Sequence, residues 1–192
     1  DRLANFAPNA KSSFFKKDQR HFKRPQWTGK DSIYNKRLLV HAEQGLGDTI
    51  QFCRYIPYIE QLGAKVLFSP QPALKKLMST LPGSSVLVDF RKQNLEYDYH
   101  SPLISLPYCL KTTLESIPNQ LPYLSSNPLR RKYWQEEVGS LPLKVGICWK
   151  ANDTKTNNGR SIPLSLFRDI SVMPGITFIS LVNGDHSKEI DN

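Results

Sequence analysis

The chain has 192 residues, of which 39% are hydrophobic, and it carries a formal net charge of +9. This apolar content supports a packed core and excludes wholesale disorder, and the length fits one large domain or two small ones. No apolar run approaches the ~20 residues that a membrane-spanning helix needs, and no signal-peptide pattern is present.

The positive charge is concentrated in an N-terminal arm, predicted to cover residues 1–36. Residues 1–37 hold 10 Lys and Arg against 3 Asp and Glu, whereas the remaining residues hold 16 against 14. Basic residues mixed with aromatic ones can bind single-stranded nucleic acid. Because the body is nearly neutral and has no RNA-binding motif, we expect no nucleic-acid partner and an arm whose aromatic side chains pack on the body.

The three cysteines, Cys53, Cys109 and Cys148, are far apart and have no CxxC spacing. This pattern argues against a disulfide framework and against a zinc site, and it predicts a reducing, cytoplasmic setting. Since the sequence also has no DxD pair and no HExxH motif, we expect neither a metal nor another cofactor.

A buried strand, a glycine turn and a helix occupy the stretch around which the chain is organised. The apolar run 38–42 predicts the strand, Gly45 and Gly47 form the turn, and the pattern that starts at Asp48 predicts the helix. Pro57 lies inside the helical pattern and should kink or split it, and Gly63 should end it.

Further strands and helices alternate after this unit. Strands are predicted at Lys65–Ser69, Ser85–Asp89 and Tyr97–His100, with a helix over Gln71–Thr80. Alternating strands and helices predict an α/β fold with a Rossmann-like parallel sheet, here over residues 37–140.

A second series of the same kind is predicted for residues 141–192. A strand at 143–149 is followed by a polar loop, a helix from Ser161 to Ile170 and a strand at 176–182, after a helix over residues 128–138. Because the first residue is Asp and the last polar stretch follows directly on a strand, we expect the chain to be a piece of a longer protein.

Asp48 is the first candidate for chemistry. A glycine turn that leads into a helix N-terminus usually binds an anion, but GxGxxG is incomplete here and an acid at this position would repel phosphate. The carboxylate could instead act as a general base toward a hydroxyl. The alternative is a structural helix cap, with Gln51 completing a box-like pair. Glu43, Gln44 and His41 border the same turn, where His41 is either an orienting group or a satisfied buried histidine.

A second candidate site follows Trp149. Lys150, Lys155, Arg160 and Ser161 occupy a polar loop that leads into a helix start. Cations combined with a helix N-terminus suit a diphosphate. The alternative is an exposed loop whose charges only aid solubility.

The segment from His41 to Pro57, HAEQGLGDTIQFCRYIP, resembles the hallmark block of bacterial tetratricopeptide-repeat proteins with a heptosyltransferase-like glycosyltransferase region. Shorter matches follow the order seen in that family. They are Pro25–Trp27, Ser101–Pro107, Ile117–Pro118 with Pro122–Leu124, Val145–Trp149 and Arg160–Leu164.

The resemblance implies a metal-independent GT-B glycosyltransferase with two Rossmann-like domains. Residues 37–140 would form the acceptor-side domain and residues 141–192 the beginning of a truncated donor-side domain. It assigns the general base to Asp48, the acceptor-side loop to Glu43, Gln44, Gly45 and Gly47, and donor-phosphate binding to the loop at Lys150–Ser161.

The partners implied are a nucleotide-sugar donor, a hydroxyl acceptor on a glycan or protein, and upstream tetratricopeptide repeats. The family's later donor-binding block is missing, so we expect this fragment to be inactive alone. The alternative function is a non-catalytic, transferase-like module for binding or assembly.

Overall fold

A computed structural model of the chain describes residues 22–140, 143–151 and 161–182. The chain divides into two compact units, with the boundary between Ser126 and Asn127. Each unit contains its own sheet.

The first unit is built on a four-stranded sheet. Its strands are β1 (Arg37–His41), β2 (Lys65–Ser69), β3 (Val86–Leu87) and β4 (Tyr99–Pro102). They lie in the order β3-β2-β1-β4, and all neighbouring pairs are parallel. The predicted α/β class with a Rossmann-like parallel sheet is confirmed.

Two short helices follow β1, as Pro57 predicts. Helix α1 (Leu46–Phe52) passes into a 3-10 turn at Cys53–Tyr55 and then into α2 (Ile56–Gln61), which carries Pro57 in its first turn. Proline cannot donate the backbone hydrogen bond of a helix interior, so a new helix begins there. Gly63, with a φ of 87°, ends this segment as predicted.

The helices after β2 and β4 are shorter than their patterns suggest. A 3-10 turn at Pro72–Leu74 leads into α3 (Lys75–Met78), and another at Leu103–Ser105 leads into α4 (Leu106–Cys109). The helix predicted over Gln71–Thr80 is therefore present but shorter, as a 3-10 turn and an α-helix that together cover residues 72–78. Hydroxyls at its end donate to carbonyls of the last turn, at 2.8 Å from Ser79 and 2.7 Å from Thr80, and this bonding favours termination.

Strand β3 covers only two of the five residues predicted. The backbone N–H of Val88 still donates to the carbonyl of Phe68 at 2.9 Å, but Asp89 then starts a turn by accepting from the backbone N–H groups of Arg91, Lys92 and Gln93. Strand β4 begins and ends two residues later than the strand predicted at Tyr97–His100.

The two faces of the sheet are covered differently. Leu38 and Val40 face the main apolar core, which includes Ile56 and Ile59 of α2. Strand residues alternate between faces, so Leu39 and His41 lie on the opposite face. That face is covered in part by Phe22 of the arm, whose ring stacks on His41.

The second unit contains a two-stranded parallel sheet. Helix α5 (Pro128–Val138) precedes β5 (Leu143–Ile147), which pairs with β6 (Ile176–Ser180). Asn127 caps α5 by accepting from two backbone N–H groups, and Pro128 occupies the first turn as predicted. Before β6 come a 3-10 turn at Leu164–Phe167 and α6 (Arg168–Ser171), so the helix begins later than predicted.

Candidate active site

The candidate site is the turn that joins β1 to α1, at the carboxyl edge of the sheet. Ala42 continues the ladder by donating its N–H to the carbonyl of Ser69 at 3.0 Å. Gly45 is extended, with φ −66° and ψ 170°, and the helix starts at the next residue. Open parallel sheets bind ligands at this edge.

Asp48 lies at the third position of α1, which corrects the predicted N-cap position. Its Oδ2 accepts the backbone N–H of Gly45 at 2.9 Å. Gly45, the true N-cap residue, has no side chain, so only this returning half of a capping box forms. Asp48 is partly exposed, and its Oδ1 has no hydrogen-bond partner among the described residues. One carboxylate oxygen is thus held and the other is open.

The backbone next to Asp48 is not covered by other side chains at Gly47. A Cβ added at Gly47 would meet nothing within 4 Å, whereas one at Gly45 would lie 3.2 Å from Oδ2 of Asp48. Gln44, Gly45 and Gly47 are all exposed. The turn is therefore exposed at these three residues next to the partly exposed Asp48.

Gln71 braces this turn and was not predicted from the sequence. Its side-chain amide donates to the carbonyl of Gln44 at 2.8 Å and approaches that of Gly45 at 3.4 Å. The Oε1 atom of Gln71 is buried without a partner among the described residues. A turn-stabilising glutamine after a neighbouring strand leaves no distinctive pattern, so sequence reasoning has no signal for it.

Glu43 is engaged in holding the fold. Its two carboxylate oxygens accept the backbone N–H groups of Leu103 at 3.1 Å and Ile104 at 3.2 Å. These groups open the helical segment after β4, where orphan N–H groups need acceptors. Glu43 thus ties the turn to the neighbouring strand.

His41 is buried in an aromatic cluster with Phe22 and His100. His41 Nε2 lies 3.4 Å from His100 Nδ1, and the Phe22 ring stacks on His41 at 4.5 Å and on His100 at 3.8 Å between centroids. Burial lowers the pKa of His100 to about 4. His100 therefore favours its neutral form.

Arg54 fixes the C-terminal end of α1. Its guanidinium donates to the hydroxyl of Tyr123 at 3.1 Å and lies 4.6 Å from that ring's centroid. The Tyr123 hydroxyl in turn donates to the carbonyl of Ile50 at 3.1 Å. These contacts join the helix that carries Asp48 to the loop preceding α5.

The loop predicted to bind the donor phosphates is described only at its two ends. Lys150 is partly exposed, and Ser161 accepts the backbone N–H of Ala151 on its Oγ at 3.2 Å. Ile162 donates to the carbonyl of Trp149 at 2.8 Å, so the loop returns to the end of β5. Lys155 and Arg160 lie outside the described residues.

Two of the three cysteines, Cys53 and Cys109, are buried. Burial raises the pKa of Cys53 to about 12 and that of Cys109 to about 11. Both thiols donate to backbone carbonyls, and Cys148 is exposed and free. Because the thiolate is the reactive form, the two buried cysteines have a structural role.

Two further observations concern the prediction that the protein has no metal and no membrane span. Among residues 22–140, 143–151 and 161–182, no group of three or more His, Cys, Asp or Glu is placed to hold a metal ion. None of the described helices is both long and apolar enough to cross a membrane. The expectation of a cofactor-free reaction stays a prediction.

Comparison with known proteins finds a similarity to Protein FlbA of Caulobacter vibrioides. The two are 29% identical over 187 residues, covering 86% of this chain and 31% of FlbA. The chain thus spans just under a third of that relative's length. No family model matches the chain, and no solved structure matches it.

Proposed function

We propose that this chain belongs to a glycosyltransferase that moves a sugar from a nucleotide-sugar to a hydroxyl acceptor, with Asp48 as the general base. The observation that carries the proposal is the open Oδ1 of Asp48 at the carboxyl edge of a parallel sheet, beside the empty space at Gly47. The resemblance of residues 41–57 to the heptosyltransferase-like block supports the same role.

The chemistry follows from the way the carboxylate is held. The Gly45 N–H fixes Oδ2, so Oδ1 is presented to an acceptor hydroxyl in one orientation. Oδ1 takes the hydroxyl proton as the acceptor oxygen forms its bond to the anomeric carbon. The bond from that carbon to the donor's diphosphate breaks, and the diphosphate leaves with the bonding electron pair.

The remaining residues of the turn divide the work of positioning. Glu43 is occupied by two backbone N–H groups, so it orients the turn and does not compete as a base. Exposed Gln44, Gly45 and Gly47 border the approach of the acceptor. We assign donor-phosphate binding to Lys150, Lys155, Arg160 and Ser161, whose cations would offset the leaving group's charge.

The proposal includes the cellular setting and the larger protein. Three free cysteines suit a reducing cytoplasm. The family resemblance suggests tetratricopeptide repeats upstream, which would present a protein or glycan acceptor. The reaction as proposed uses no metal.

A non-catalytic binding or assembly module is the second candidate. The observation that favours it is the Gly45–Asp48 hydrogen bond, which by itself accounts for Asp48 as a stabiliser of the start of α1. In that case the turn would be retained for its shape, and Asp48 would have no role in turnover.

A donor-binding experiment tests the transferase proposal. The full-length natural protein that contains this sequence should be titrated calorimetrically with UDP-, GDP- and ADP-sugars. We expect one nucleotide class to bind, and Asp48→Asn to leave that binding unchanged because Asp48 serves the acceptor side. Failure of all three classes to bind would refute the transferase and leave the binding module.

A further inference from the structure

An open groove lies at the other end of the first unit's sheet, where the parallel strands begin. Its volume is about 650 Å³, within the ~300–1,000 Å³ range of small-molecule sites. The start of β1, the start of β2, the arm at Lys23–Arg24 and the loop 94–98 form its walls. Five lining residues are cationic and two are acidic; the cations are Lys23, Arg24, Lys36, Arg37 and Lys65.

The two carboxylates of the groove already have partners. Glu96 pairs with the Arg37 guanidinium at 2.9 Å, and Asp98 accepts the backbone N–H of Arg37 at 2.7 Å. Lys23 donates to the side-chain oxygen of Asn94 at 3.1 Å. The acids therefore shape the wall at Arg37 and do not neutralise the remaining cations.

Arg24, Lys36 and Lys65 have no ion-pair partner among the described residues. The backbone N–H of Lys65 donates to the carbonyl of Lys36 at 2.8 Å, so these lysines belong to adjacent segments. Arg37 and Lys65 are direct register partners on neighbouring strands. Because Glu96 offsets the charge of Arg37, the unpaired positive charge of the groove lies on Arg24, Lys36 and Lys65.

We propose that this groove binds a small ligand bearing a diphosphate. The surplus of three positive charges matches the charge of a diphosphate, and the unpaired cations can make charge-assisted hydrogen bonds to its oxygens. β1 separates the groove from the Asp48 turn by five residues, which is about 13 Å at ~3.3 Å per residue step. The binding site is thus additional to the proposed active site and does not depend on it.

The composition of the walls disfavours a nucleic acid as the ligand. Tyr97 is the single aromatic residue among the described residues that line the groove, and its hydroxyl accepts the backbone N–H of Lys23 at 3.3 Å. Single-stranded nucleic acids are held by several aromatic platforms along a cationic groove. A compact, multiply charged anion fits this groove better than a chain of stacked bases.

The test is a calorimetric titration of the 192-residue chain with inorganic pyrophosphate in about 0.15 M salt, where non-specific attraction is screened. The groove variant is Lys36→Gln with Lys65→Gln. The matched control is Lys75→Gln with Lys76→Gln, which removes the same charge from two exposed lysines of α3. A third variant, Lys150→Gln, probes the proposed donor loop. ADP and a single-stranded oligonucleotide serve as further ligands.

We expect the groove variant to weaken pyrophosphate binding about tenfold or more and the Lys75 and Lys76 control to leave it unchanged. If ADP binds with the same dependence on the groove lysines, the ligand is a nucleoside diphosphate; if only pyrophosphate does, it is a simpler diphosphate. The proposal is overturned if pyrophosphate does not bind, if the control weakens binding equally, or if Lys150→Gln alone abolishes it. Tighter, groove-dependent binding of the oligonucleotide would overturn it in favour of nucleic acid.

Discussion

The carboxyl and amino ends of the strands in the first unit's sheet, here called its carboxyl and amino edges, carry different chemical groups. At the carboxyl edge, two hydrogen-bonded carboxylates flank a glycine turn, and the buried ring of His41 stacks on Phe22. At the amino edge, cations line an open polar groove. A general base needs a carboxylate held by neutral backbone donors in a defined direction, whereas an anion site needs surplus positive charge. The proposed base and the proposed anion site thus lie at opposite ends of the same sheet, one strand length apart.

The largest expected effect on stability is acid sensitivity at His100, which lies beside His41. His100 has a folded pKa of about 4 against 6.5 for a free imidazole, so the unfolded chain binds more protons between these values. The stability that neutral His100 contributes is therefore fully present above pH 6.5 and declines as the pH falls toward 4. The loss in the free energy of unfolding is on the order of 2 kcal/mol by about pH 5. Urea unfolding at several pH values measures this loss.

The control for that loss is His100→Phe, which keeps a ring against Phe22 but cannot be protonated. Its stability should depend less on pH between about 7 and 5, whatever its absolute stability. An equal decline in the variant and the parent chain would show that other groups titrate.

Removing the Glu43 carboxylate should have the next largest effect. Glu43→Ala leaves the backbone N–H groups of Leu103 and Ile104 without their acceptor, which should cost about 1–3 kcal/mol of unfolding free energy. Glu43→Gln retains one carbonyl oxygen and should cost less. Chemical denaturation of both variants measures the difference. Equal stability of Glu43→Ala and the parent would contradict a structural role for the Glu43 carboxylate.

A smaller effect is expected from the helix start. Asp48→Ala removes the acceptor of the Gly45 N–H and should cost about 1 kcal/mol. Asp48→Asn keeps a side-chain oxygen at this position and should cost only a few tenths of that amount. Thermal unfolding of the two variants separates the hydrogen bond from the charge, and equal losses of stability would show that the charge matters more than the hydrogen bond.

Substitutions at the amino edge should change the free energy of unfolding least. Lys65 is exposed and stands opposite Arg37 in the register, so Lys65→Gln should change stability by less than about 0.5 kcal/mol, in the stabilising direction. Lys75→Gln on α3 is the control, whose stability is compared with that of Lys65→Gln. A clear destabilisation by Lys65→Gln would mean that this lysine holds the fold and is not a free ligand group.

The sequence predicts the part of the fold that local patterns encode. The span of β2, the break at Pro57 and the stop at Gly63 follow from apolar runs and from the backbone limits of proline and glycine. The short β3 could not be predicted, because a backbone turn that begins at Asp89 replaces its last residues.

The candidate site was predictable in its residues but not in its contacts. Gly45, Gly47 and Asp48 stand out by type and spacing, yet the position of Asp48 within α1 depends on a helix that starts two residues earlier than its apolar pattern. The brace from Gln71, the tie from Glu43 to Leu103 and the stacking of Phe22 join distant segments. Such contacts are set by tertiary packing, which a single sequence does not display.

The most direct test of the central claim is the rate of sugar transfer by the Asp48→Asn form of the full-length protein, with the donor identified by titration held at saturation. If Asp48 is the base, the rate falls about 10²–10⁴-fold while donor affinity and folding stay close to those of the parent. A transfer rate equal to that of the parent protein would contradict the account and leave Asp48 as a helix-stabilising residue alone.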